Sequence, residues 1–156
     1  MRNRIIALLG TLTLWLGIAA AAPPAVQVNR TDLALDEAYR RVYEALEAHQ
    51  FWVVFEADLG ARMARFKERW GEDYNRSGLS GAKSMVFCNI AWTNRIASAD
   101  PDMLALCPLH LSLYARAGRT TVTWLRPSAI AQGSQAESQA AELERELAAI
   151  VAEALK

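Results

Sequence analysis

Five residues between positions 85 and 110 carry sulfur or imidazole: Met85, Cys88, Met103, Cys107 and His110. Thiolate, thioether and imidazole are soft donors suited to Cu(I), so Cys88, Cys107, Met103 and His110 are the candidate metal ligands. Cys107-Pro108-Leu109-His110 even spaces a thiol and an imidazole three apart. That spacing works against a joint site on a strand, because residues three apart face opposite sides. Cys107 then joins Leu109 on the inner face while His110 points outward, unless Pro108 makes the strand start irregular. Covalent haem attachment needs two cysteines before the histidine, and only one is there. The other chemistry-bearing residues read as structural. His49 falls where a helix closes on its buried stripe, and Asp100 and Asp102 flank Pro101 as turn residues do. Arg62, Arg65, Lys67 and Arg69 cluster, but Glu68, Glu72 and Asp73 balance them as on a solvated face. No P-loop, nucleotide-binding glycine fingerprint, serine elbow or His-Glu-x-x-His motif occurs. A hydrolase would lack a nucleophile with a recognisable base, so no catalytic residue is assigned and a non-enzymatic role is favoured.

The elements that must position these residues follow from periodicity. Val26-Gln27-Val28 alternates like a first strand. Leu35, Ala38, Tyr39, Val42, Leu46 and His49 recur at helical spacing, and Phe51 to Phe55 reads as a buried strand. Leu59, Met63, Phe66 and Trp70 mark a second amphipathic helix, with Asp58 placed to cap it. Gly71 to Lys83 turns to Gly, Ser, Asn and Asp, a surface loop. Ser84 to Ile90 returns to strand. Ala91 to Asp102 is too polar and interrupted for a strand, and Pro101 stops a helix, so Ala91 to Leu106 reads as irregular. Leu109, Leu111 and Leu113 alternate with polar neighbours, Ala117-Gly118 turns the chain, and Thr120 to Arg126 returns as a hairpin partner. Ser134 and Glu137 form a capping box for a last helix with the stripe Ala136, Ala140, Leu143, Leu147, Ile150, Val151 and Ala154. This order predicts an α+β fold of two layers, with helices packed on a mostly antiparallel sheet of about five strands.

Composition narrows the function classes. The 156 residues are 53% hydrophobic, and 17 basic residues cancel 17 acidic ones, which excludes a disordered chain or a nucleic-acid coat. Arg2 and Arg4 precede an apolar run from Ile5 to Ala19 and a small-residue run before Pro23-Pro24, the layout of a secretory signal peptide. Cleavage after Ala21 is expected, giving a signal at residues 1–21 and a single domain at residues 22–156. The domain would be periplasmic or secreted and off the membrane once the signal is removed. Losing two Arg and no acid makes it mildly acidic, which further disfavours nucleic acid.

The unit Ala38 to Phe55, then Met85-Val86-Phe87-Cys88-Asn89, Asp100-Pro101 and Cys107-Pro108-Leu109 leading into a hairpin resembles the domain of unknown function 302 family. Members carry a Phe-Gly-Asn-like strand end and a Leu-Pro-Leu-like strand start, and the likeness covers about residues 26 to 131. It implies a small two-layer α+β fold that often self-associates, with no established activity to carry over. Departures are Cys88 in place of a small residue, Cys107 beside the proline, and extra residues around Trp70 to Lys83. A homodimer, with an unknown small ligand or protein as further partner, is the expectation. For the cysteines three states stay open: a Cys88–Cys107 disulfide, two separate buried thiols, and a Cu(I) pair. An even pair in an exported chain favours the disulfide, with both side chains expected to point into one core and with no cofactor.

Overall fold

The computed structural model describes residues 25–156; the expected signal at residues 1–21 lies outside them. The strands are β1 (Val26–Thr31), β2 (Trp52–Asp58), β3 (Gly81–Cys88), β4 (Leu109–Arg116) and β5 (Arg119–Leu125). They form one sheet in the order β1-β5-β4-β3-β2, with every neighbouring pair antiparallel. The helices are α1 (Leu35–Ala48), α2 (Leu59–Ala64), α3 (Lys67–Trp70), α4 (Ile90–Ala99), α5 (Pro127–Ile130) and α6 (Glu137–Ala154), with short 3-10 turns at Gly71–Asp73 and Pro101–Leu106. The fold is therefore α+β in two layers.

The core lies on one face of the sheet. Ala38, Val42 and Leu46 of α1 and Ala140, Leu143, Leu147, Ile150 and Val151 of α6 are buried together with Met85, Phe87, Leu109, Leu111, Leu113, Val122 and Trp124. Each helix set recurs three or four apart, so one stripe per helix meets the sheet. Since strand side chains alternate, Ser84, Val86 and Cys88 take the opposite face of β3. Val86 pairs with His110, and Cys88 pairs with Trp52 across the edge strand β2. The ladder slips between Val53 and Phe55, which makes Val54 a bulge on that edge.

Several expectations need correction. Residues 90–99 are helical, not irregular: Asn89 caps α4 by accepting the Trp92 amide at 3.1 Å. The signal was faint because α4 buries only Trp92 and Ile96, one turn apart. Pro101 does end it, but by opening the 3-10 turn whose cap is Asp100. The second helix breaks into α2 and α3, and its stripe is not core: Leu59, Phe66 and Trp70 stay exposed, with Phe66 and Trp70 stacked at 5.1 Å. β3 begins at Gly81, inside the expected loop. Ser134 does not cap α6 directly; its hydroxyl accepts the Ala136 amide, while the Glu137 carboxylate reaches back to the Gly133 amide. His49 is exposed at the end of α1, not on the buried stripe.

Candidate functional site

Two places bring reactive or charged side chains together. The first is at the end of the sheet, where β3 hands over to α4. Cys88 is the last residue of β3 and Cys107 the residue after the 3-10 turn, and both are free, half-buried thiols. Thr93, in the first turn of α4, holds them together: its Oγ1 is 3.2 Å from the Cys88 sulfur and 3.3 Å from the Cys107 sulfur. The same Oγ1 lies 3.0 Å from the Asn89 carbonyl. A hydroxyl has one proton, so Thr93 donates to one of that carbonyl, the Cys107 sulfur and the Cys88 sulfur, and its lone pairs are open to an S–H donor. Burial pushes the Cys107 thiol up, against the lowering effect of the Thr93 hydrogen bond, and the neighbouring Cys88 sulfur raises it further.

The cysteines do not point into the core as expected. Neither belongs to the buried cluster; Cys88 takes the face opposite Met85 and Phe87, and Cys107 precedes β4, joined to Pro108 by a cis peptide. Ile90, expected to end the strand, instead opens α4 and is exposed. His110 points outward, as its strand parity predicts. Met103 packs against the core from the 3-10 turn. The hydrogen bonds around Thr93 reach neither Met103 nor His110, so it is the two thiols alone that this hydroxyl links. Among the described residues no group of three or more His, Cys, Asp or Glu is arranged to hold a metal ion.

The second place is a cleft of about 620 Å³ between the start of α1, α2 and the start of β3. Leu35, Met63, Ala64, Leu79 and Ala82 supply apolar wall, and Asp36, Asp58 and Lys83 supply charge. Gly60 allows α2 to lie close on the sheet, since a Cβ there would come within 3.1 Å of the Ala82 amide nitrogen. Asp58 caps α2 as the sequence predicts, its carboxylate accepting the Ala61 amide at 2.7 Å. Lys83 is pinned at the rim: its Nζ is 2.6 Å from an Asp36 oxygen and 5.2 Å from the Tyr39 ring centroid. The Tyr39 hydroxyl donates to Glu56 at 2.6 Å. Burial first, then that carboxylate, push the Tyr39 phenol well above its ordinary value, so it stays a donor. A shallower hollow of about 230 Å³ adjoins, lined by Tyr39, Glu56, Ala57, Asp58 and Lys83. Sequence reasoning missed this cleft, because its walls come from three segments and Lys83 sits in what read as a loop.

Asp100 and Asp102 form no carboxylate pair for chemistry. Asp100 spends one oxygen on the Asp102 amide and the other on the Gln135 amide, a structural role. The basic residues Arg62, Arg65, Lys67 and Arg69 all lie on the exposed side of α2 and α3.

No curated protein matches the chain. Among solved structures, the chain is similar to one described as the crystal structure of an uncharacterized conserved protein DUF302 from Bacillus stearothermophilus. The two share 18% identity at a TM-score of 0.71, over 85% of this chain and 98% of the other. That likeness is one of fold. The family described as Domain of unknown function DUF302 matches residues 26–154, nearly the whole described region, and the chain belongs to that family.

Proposed function

We propose that this domain acts by non-covalent binding, and that its ligand is a small molecule with an apolar body and a cationic head. The observation that carries the reading is the cleft of about 620 Å³ beside α2, a size within the roughly 300–1,000 Å³ usual for small-ligand sites. Leu35, Met63 and Leu79 suit an apolar body. Around the rim stand three carboxylates, Asp36, Glu56 and Asp58, against the single ammonium of Lys83. A local excess of negative charge draws a cation, and a ligand amine could replace Lys83 at Asp36. No metal or cofactor enters this reading.

A panel of alkyl amines and chain-matched carboxylates, followed by amide chemical shifts on labelled protein, tests it. The amines should shift Leu79, Ala82 and Lys83 while the carboxylates do not. Ala64→Trp, at an exposed helix position facing the cleft, should abolish those shifts and leave the melting temperature intact. Shifts that map elsewhere, or that survive Ala64→Trp, overturn the reading.

Self-association is a second reading, favoured by apolar side chains that no described segment covers on the outer face of the sheet. Trp52 and Phe55 project from β2 with 51% and 55% of their surface exposed.

A further inference from the structure

We propose that Cys88 and Cys107 are a dithiol–disulfide couple, closed and opened by exchange with a small-molecule disulfide or an oxidised dithiol, and that Thr93 is its positioning residue. This goes beyond ligand binding in the cleft, and it uses a different end of the sheet. The geometry carries it. The two sulfurs sit against one hydroxyl at 3.2 and 3.3 Å, so they are no farther apart than those two distances laid end to end. Both residues are half-buried, and neither belongs to the buried core cluster. Residues that bring two thiols onto one Thr have no packing reason to be cysteine, since neither sulfur is in the core. Cys88 and Cys107 also flank a compact unit, α4 and the 3-10 turn after it, which a bond between them would close into a loop.

The exchange balances as follows. The Cys88 thiolate attacks one sulfur of the incoming disulfide, forms a mixed disulfide and expels one thiolate. That leaving thiolate takes a proton. Cys107 then loses its proton to solvent, and its thiolate attacks the Cys88 sulfur and expels the second thiolate, which takes a proton from solvent. The protein gives up two protons and two electrons, and the incoming disulfide becomes two thiols. Thr93 serves the second attack: by donating to the Cys107 sulfur it stabilises the thiolate that burial opposes. When the bond forms, the hydroxyl turns its proton to the Asn89 carbonyl, already 3.0 Å away, so no buried donor is orphaned.

The test is equilibration of the full reduced chain in glutathione buffers of graded oxidation, quenched with acid and alkylated, with intact mass as readout. The expected product is a chain two hydrogens lighter, without glutathione and without free thiols. Cys107→Ser should trap one glutathione on Cys88, because the resolving thiol is gone. Thr93→Val should slow closure about tenfold, the kinetic equivalent of one lost hydrogen bond, and Thr93→Ser should restore it. A purely structural Thr93 would give equal rates in all three. Two glutathiones per wild-type chain, a bond to a second copy alone, or closure indifferent to Thr93→Val would each overturn the proposal.

Discussion

Ala117 holds a backbone conformation its side chain does not favour. It and Gly118 join β4 to β5 with φ values of 50° and 76°, the pattern of a two-residue hairpin turn with both centres left-handed. Glycine takes that conformation freely, whereas alanine crowds its Cβ against the following carbonyl. Asparagine tolerates the region far better. Ala117→Asn should therefore stabilise the domain by about 0.5–1 kcal/mol. A urea melt checks it: the midpoint should rise with the slope unchanged, and a fall would mean that Ala117 makes a contact worth more than the strain. The same scale explains the cysteines. Composition and spacing picked out both residues, but their partner, Thr93, is an ordinary helix residue five positions from one and fourteen from the other. Nothing in its local sequence distinguishes it.

Helices α5 and α6 are tied by one carboxylate. Glu144, on the inner side of α6, lies 2.8 Å from the Arg126 guanidinium and accepts from the Ser128 amide at 3.0 Å and from the Ser128 hydroxyl. These groups open α5, so Glu144 stands at a helix N-terminus where negative charge is favoured. Burial pushes the Glu144 carboxyl up, but the Ser128 and Arg126 hydrogen bonds outweigh it and leave it below its ordinary value. A carboxyl lowered on folding contributes stability that is fully present above the unfolded value, here 4.5, and is lost as pH falls through the lower folded value. Thermal melts should thus show an acid-side loss beginning below about pH 4.5. Glu144→Gln should destabilise at neutral pH by about 2 kcal/mol, as expected for charged hydrogen bonds, and should flatten that acid limb. An unchanged pH profile in the variant would assign the acid loss to other groups. The α6 stripe was legible, since Ala136 to Val151 is buried as its spacing predicts. α4 was not, because a ten-residue helix anchored by two buried side chains has almost no stripe to read.

At the scale of the whole domain, one sheet face carries no helix among the described residues. Beyond Trp52 and Phe55, Val26 and Val28 of β1 and Leu125 of β5 are exposed, with Val26 and Leu125 facing across the ladder. Val54, in the bulge of β2, is 64% exposed. These side chains make two apolar patches at opposite edges of the sheet, one on β2 and one on β1 and β5, and a second copy seated symmetrically on the β2 patch would cover Trp52 and Phe55. Light scattering at micromolar concentration should return the mass of two chains. Phe55→Lys should return one, with an unchanged melting temperature of the domain itself, because Phe55 touches solvent and not the core. A wild-type chain that stays monomeric at that concentration would refute self-association.

Some of this follows from the sequence alone. Alternation in Leu109 to Leu113 and the stripes of α1 and α6 depend on local geometry, with periods of two and about 3.6 residues, and each places its own residues inside or outside. The order of those elements limits the architecture to helices on an antiparallel sheet, and the family resemblance rests on that same order. Tertiary structure decided the rest. Leu59, Phe66 and Trp70 have the spacing of a core stripe yet remain exposed, because no surface among the described residues comes over them. The cleft exists because β3 starts early, at Gly81, and brings Lys83 beside Asp36 of α1. The thiols meet because α4 folds back over the end of β3 and sets Thr93 between two residues the strand pattern had sent into the core. Periodicity reports which side of its own element a residue takes. It carries no information about which distant segment arrives there, and both candidate sites of this protein are built from such arrivals.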